Sequence, residues 1–113
     1  MFAQENRLKK DKDVQNVVKK GKSVFDYACG LKFKQNSLET SRFAVVVGLK
    51  VHKSAVKRNK VRRQYREIIK SFLPEMKNGF DVVLLTRKDC LDLDFFEKEE
   101  RLRKVFRKSG LLV

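Results

Sequence analysis

Tryptophan is missing from this chain of 113 residues, proline and histidine occur once each, cysteine twice and glycine five times. A lone histidine, His52, excludes a paired-histidine nuclease. The few glycines form neither a phosphate-cradling loop nor a nucleophile elbow. Cys29 and Cys90 stand apart, without CxxC or Cys/His spacing, and read as reduced structural thiols rather than a disulfide or metal ligands. No run of about eighteen apolar residues is available to span a bilayer. The N-terminal Met1-Phe2-Ala3-Gln4-Glu5-Asn6-Arg7 lacks the apolar segment of a signal peptide, so a cytoplasmic protein without membrane attachment is expected.

Acid is also scarce. Asp and Glu number 14 against 28 Lys and Arg, a formal net charge of +14. The surplus runs along the whole chain and is not a detachable tail, so the folded body itself must be cationic and its expected partner is a polyanion. The length suits one domain, 1–113, with a single core.

Apolar spacing supplies the elements. Val14, Val17 and Val18 share one face of a helix over 11–20 that Gly21 closes. Residues 24–34 read as a strand, with Tyr27, Cys29, Leu31 and Phe33 inward and Ala28, Gly30, Lys32 and Lys34 outward. Residues 42–49, carrying Phe43-Ala44-Val45-Val46-Val47, read as a buried strand. A helix follows the 50–54 loop and ends near Pro74, which cannot donate to a helical ladder. Asn78-Gly79 turns the chain into a third strand over 80–86. A last helix starts at Asp94, capped by Asp94 and Glu97, with Phe95, Leu102, Val105 and Phe106 inward and Gly110 at its end. The order helix, strand, strand, helix, strand, helix predicts an α+β fold, a two-layer sandwich of three helices on a small sheet.

The helix after the 50–54 loop carries the most information. Val61, Tyr65, Ile68, Ile69 and Phe72 recur at the spacing of one buried stripe. The other face presents Asn59, Arg62, Arg63, Arg66 and Lys70. Guanidinium forks about a turn apart bind phosphate oxygens bidentately. A merely solvated face mixes signs so that Glu and Lys pair, whereas six cations and no anion lie between Lys57 and Arg66. Their mutual repulsion is relieved by a polyanion, which makes this an RNA-binding helix.

A catalytic centre is harder to find. His52 reads as a loop residue beside the basic helix, the alternative being a phosphate contact. Asp89, Asp92 and Asp94 could suggest a two-metal carboxylate cluster, but capping and turn formation account for them. Glu97, Glu99 and Glu100 face Arg101, Arg103 and Lys104 as ordinary surface pairs.

The Arg58-Asn59 helix with its spaced cations resembles that of the bacterial ribonuclease P protein family. Further blocks in the family's order extend the resemblance: Arg7-Leu8-Lys9-Lys10 with Lys12-Asp13, Lys20-Gly21-Lys22-Ser23, Val47-Gly48-Leu49-Lys50-Val51, Asp81-Val82-Val83-Leu84-Leu85-Thr86-Arg87 and the closing helix between Leu93 and Leu112. The resemblance implies a mixed sheet like the second domain of ribosomal protein S5, with a left-handed βαβ crossover where handedness rules alone favour the right-handed one. It implies a subunit that helps remove the 5′ leader of precursor tRNA, with catalysis on an RNA subunit and its Mg2+ ions, no catalytic or metal-binding residue on this chain and no stable protein partner. It carries contacts to the RNA subunit onto Lys50, Lys53, Lys57, Arg58, Asn59, Arg62, Arg63 and Arg66. The precursor tRNA leader falls to Val14, Val18, Lys32 and Lys34, in a cleft between the first helix and the sheet. Val14 and Val18 stand where relatives often carry phenylalanine and Lys32 where tyrosine is common, so apolar and electrostatic contacts are expected there in place of stacking. Packing of Val14 and Val18 on the sheet is the alternative. A ribosomal or general structured-RNA binder, and an autonomous basic nuclease, are the competing functions.

Overall fold

The computed structural model describes residues 3–112; Met1 and Phe2 of the N-terminal stretch considered above lie outside them. Three helices, α1 (Asp11–Lys20), α2 (Ala55–Phe72) and α3 (Phe95–Ser109), accompany four strands, β1 (Lys22–Phe25), β2 (Cys29–Gln35), β3 (Arg42–Val46) and β4 (Phe80–Thr86). The sheet order is β1-β2-β4-β3. Both β1–β2 and β2–β4 pair antiparallel, and β3 pairs parallel to β4 through the crossover that contains α2. This is the mixed α+β sheet expected from the sequence, with one strand more.

The extra strand arises because the expected strand over 24–34 is a hairpin. Asp26 breaks it: its Oδ2 accepts from the Ala28 amide at 3.4 Å and its own amide donates to the Cys29 carbonyl at 2.8 Å, an Asx-type turn that needs neither Gly nor Pro. Tyr27 therefore leaves the inner face and is exposed.

Strand alternation divides the apolar residues between two faces. Leu31, Phe33, Phe43, Val45, Val82 and Leu84 join the main core. Against them pack all five members of the α2 stripe, Val61, Tyr65, Ile68, Ile69 and Phe72, together with Leu102, Val105 and Phe106 of α3. On the opposite face Val83 packs with Leu8 and Val17, and the half-buried Val14, Val18, Ala44 and Leu85 complete a smaller cluster under α1. Arg42 clamps Asp81 on that side through Nε at 2.8 Å and Nη2 at 2.7 Å, and the Asn36 amide donates to Asp81 Oδ1 at 2.9 Å. This neutralises a carboxylate that is only 8% exposed.

Helix ends follow local chemistry, with one correction to the sequence reading on the inner face of α3. Gly21 closes α1 as expected, in an extended conformation with φ −77°. A Cβ there would lie 2.5 Å from the Val17 carbonyl oxygen and 2.7 Å from that of Phe33, so the glycine permits close approach of α1 to β2. In α3 the capping box forms as expected, with the Glu97 amide 2.8 Å from Asp94 Oδ1 and the Asp94 amide 3.2 Å from Glu97 Oε1. Gly110 ends the helix at φ 80° in the left-handed region. Phe95, however, is exposed, and Lys98 begins the inner stripe at 5% exposure. Its stem packs inward while Nζ reaches Gln64 Oε1 at 2.6 Å, the snorkelling that hydrophobic patterning cannot reveal.

Cys29 and Cys90 are free, buried thiols. Burial, aided by the charge of Asp26, pushes the Cys29 thiol from an ordinary value near 9 up to about 12. Burial likewise raises Cys90 and the Tyr65 hydroxyl. A group whose folded pKa exceeds its unfolded one leaves stability intact below the unfolded value and removes it above. Denaturant titrations should therefore show stability steady below about pH 9 and falling towards pH 12, with a shallower fall in Cys29→Ala; equal slopes in the two proteins would contradict this assignment.

Candidate nucleic-acid interface

The 50–54 loop sets the start of α2, and its own residues hold it. His52 Nδ1 accepts from the Ser54 amide at 2.9 Å, and Ser54 Oγ caps the helix by accepting from the Lys57 amide at 3.3 Å. Arg58 reaches back, its Nη1 donating to the carbonyls of His52 at 2.9 Å and Lys53 at 2.8 Å. His52 is thus a structural part of the loop. Arg58, placed by the family resemblance among RNA contacts, also buckles the loop to the first helical turn.

Burial of Val61, Tyr65 and Ile68 turns the cations of α2 to the surface together. Asn59, Arg62, Arg63 and Arg66 line one shallow groove with Val56. Arg62 Nη1 donates to Asn59 Oδ1 at 2.5 Å, so the amide orients the guanidinium. Arg62 and Arg66 are half-buried and less open to solvent than the sequence suggests, while Arg63 is exposed. Burial lowers the Arg66 pKa, and the neighbouring Arg62 and Arg7 charges lower it further. Lys50, Lys53 and Lys57 are exposed at the loop and first turn. A second groove, lined by His52, Lys57, Lys60, Gln64 and Lys98, flanks α2.

The other expected residues lie on the α1 face of the sheet. Val14 and Val18 pack in the cluster around Val83, which favours their packing role without closing their outer edges to a ligand. Lys32 and Lys34 alternate along β2, opposite Val83 and Asp81 respectively. Lys34 also borders a groove with Lys20, Lys22 and Lys77, above the edge-to-face pair Phe33 and Phe80.

Phe25 and Arg87 were not among the site residues expected from the sequence. Phe25 ends β1 with 49% of its surface exposed. Lys32 Nζ lies 5.5 Å and Arg87 Cζ 5.4 Å from its ring centroid, near the outer limit for cation–π attraction, where about 0.5–1 kcal/mol is expected at an exposed site. Recognising Asp26 as a turn would have placed Phe25 beside Lys32.

The clustered guanidinium and ammonium groups suit phosphate binding. Among the described residues no three His, Cys, Asp or Glu side chains are grouped to hold a metal ion. Nor is any helix among them long and apolar enough to cross a membrane.

Known proteins with this sequence pattern and fold carry one consistent name. The family model described as Ribonuclease P matches residues 2–110. A Pelotomaculum thermopropionicum protein named ribonuclease P protein component is 35% identical over 104 residues, covering 92% of each chain. Its counterpart from Clostridium botulinum strain Langeland is 33% identical over 108 residues, covering 95% of this chain and 96% of that one. Among solved structures, a Staphylococcus aureus RNase P protein mutant with defective mRNA degradation activity superposes with TM-score 0.90 at 25% identity, covering 96% of this chain and 92% of that one. The RNase P protein from Thermotoga maritima gives 0.80 at 31% identity, covering 89% and 96%.

The Arg58 buckle is testable. Arg58→Ala should accelerate amide hydrogen exchange over residues 52–54 while the amides of Ile68 and Ile69 keep their protection. Unchanged loop exchange would show that the two carbonyl contacts do not hold the loop.

Proposed function

The chain belongs to the ribonuclease P protein family, and from that premise we propose how this protein subunit serves in maturation of the tRNA 5′ end: as a single RNA-binding domain that neutralises and positions two polyanions. The basic face of α2 docks the catalytic RNA through Lys50, Lys53, Lys57, Arg58, Asn59, Arg62, Arg63 and Arg66. The α1 face of the sheet, with Val14, Val18, Lys32 and Lys34, takes the leader of the precursor. Endonucleolytic removal of the leader is then the work of the RNA subunit. Magnesium, in this reading, belongs with the RNA phosphates.

The observation that carries this reading is the crowding on α2. Arg66, whose pKa is lowered first by burial, also feels the Arg62 and Arg7 charges, and no acid occurs between Glu39 and Glu67 to offset the cluster. Phosphates placed along this face relieve the repulsion, and bringing precursor and catalytic RNA together without such a layer would cost more of it. Membership of the family removes the grounds for preferring a ribosomal or general RNA binder, whose composition would be similar.

Binding to a bacterial ribonuclease P RNA measured across a salt series supplies the test. Arg62→Ala and Arg66→Ala should each weaken binding and reduce the slope of log K against log salt by roughly 0.7–0.9 per lost phosphate contact, with the fold retained. Slopes equal to that of the unaltered protein would move the RNA subunit off this face.

A further inference from the structure

The structure places an aromatic ring on the α1 face where the helix and β2 offer none. Opposite it in register is Gly30. A Cβ at Gly30 would fall 2.4 Å from Phe25 Cδ1, so the glycine lets the ring lie against β2 with half its surface open. Strand alternation puts Ser23, Phe25, Gly30 and Lys32 on one side, while Val24 turns into the main core.

Neighbouring groups leave this ring to a ligand. Tyr27, the next aromatic along the chain, is held by Arg101, whose Cζ lies 4.0 Å from its ring centroid. Asp26, the closest acid in sequence, is also tied down, with Oδ1 3.3 Å from Arg101 Nη1 and Oδ2 on the Ala28 amide. The two cations over Phe25 are held more loosely than Arg101 over Tyr27, at 5.5 Å for Lys32 and 5.4 Å for Arg87. An aromatic face flanked by two long cationic side chains matches a nucleotide in an unpaired strand, since every base has a π-face and is bordered by phosphates.

We infer that Phe25 stacks one unpaired base of the precursor leader while Lys32 and Arg87 swing from the ring to the phosphates on either side. The inference rests on the assignment of the α1 face to the leader. It replaces the stacking that Val14, Val18 and Lys32 cannot provide, and because a phenyl ring makes no hydrogen bond to base edges it predicts tolerance of base identity at that position.

The test uses holoenzyme reconstituted from this protein and a bacterial ribonuclease P RNA, with binding measured under non-cleaving conditions. Phe25→Leu should lower the ratio of affinities for precursor with a leader of several nucleotides and for mature tRNA, by roughly 5- to 150-fold, the range alanine substitution gives for one stacked base. Phe25→Tyr should restore the ratio. With 2-aminopurine walked through the leader, emission should be quenched at one position and recover in Phe25→Leu. If Phe25→Leu changes neither ratio nor quenching while Lys32→Glu and Lys34→Glu lower the ratio, the stacking inference falls and the leader assignment stands. If none of the three substitutions matters, the leader does not follow this face.

Discussion

Burial of one stripe of α2 is the constraint from which the rest of the molecule follows. Val61, Tyr65, Ile68, Ile69 and Phe72 lock the helix to the main-core face of the sheet, and full burial of such side chains contributes about 1.5–3 kcal/mol each before entropy is charged against it. Once that stripe is fixed, helical geometry leaves Asn59, Arg62, Arg63 and Arg66 no choice but a common outer surface. The helix cannot rotate to disperse its charges without exposing its core residues. Cations are thereby crowded in the native state, and the Arg62 and Arg7 charges add to burial in lowering the pKa of Arg66. A fold of this kind is completed electrostatically by its partner.

Many of the acidic residues are capping, paired or gathered away from the cationic surfaces. Six of the 14 lie between Asp89 and Glu100, where they cap or solvate the start of α3. Asp81, on the α1 face, is covered by Arg42 and Asn36. Asp26 is taken by Arg101 across the hairpin. Two cationic surfaces survive, the outer face of α2 and the α1 side of the sheet, carried by separate elements of a 113-residue chain. A subunit proposed to bridge a catalytic RNA and its substrate requires two such surfaces.

Much of this was legible from residue order, because local patterning determined it. The bounds of α1 and β4, the full α2 stripe, the stop near Pro74 and the capping box of α3 all follow from periodicity or from side chains that bond their own backbone. The differences arose where a distant partner decides. The turn at Asp26 lacks the usual Gly or Pro. Phe95 looks apolar enough for the core, yet Lys98 takes the inward position because its stem can be buried and its ammonium can reach Gln64. Gly21 reads as the end of α1, but why it must be glycine shows only when Phe33 of β2 is seen against it. Phe25 gains meaning from Gly30, Lys32 and Arg87 together, which no single stretch of sequence displays. The cations proposed to meet the RNA subunit could be named from spacing and resemblance, whereas the tie between Arg58 and its loop needed coordinates.

The central claim is that this protein supplies charge and position while an RNA supplies the chemistry. Cleavage of a 5′-labelled precursor tRNA at low magnesium, by a bacterial ribonuclease P RNA with and without this protein and by the protein alone, tests it most directly. Cleavage at the mature 5′ end that appears when both are present, and is absent with protein alone, is the result expected. An RNA whose activity is indifferent to the protein, or leader removal by the protein alone, would contradict it.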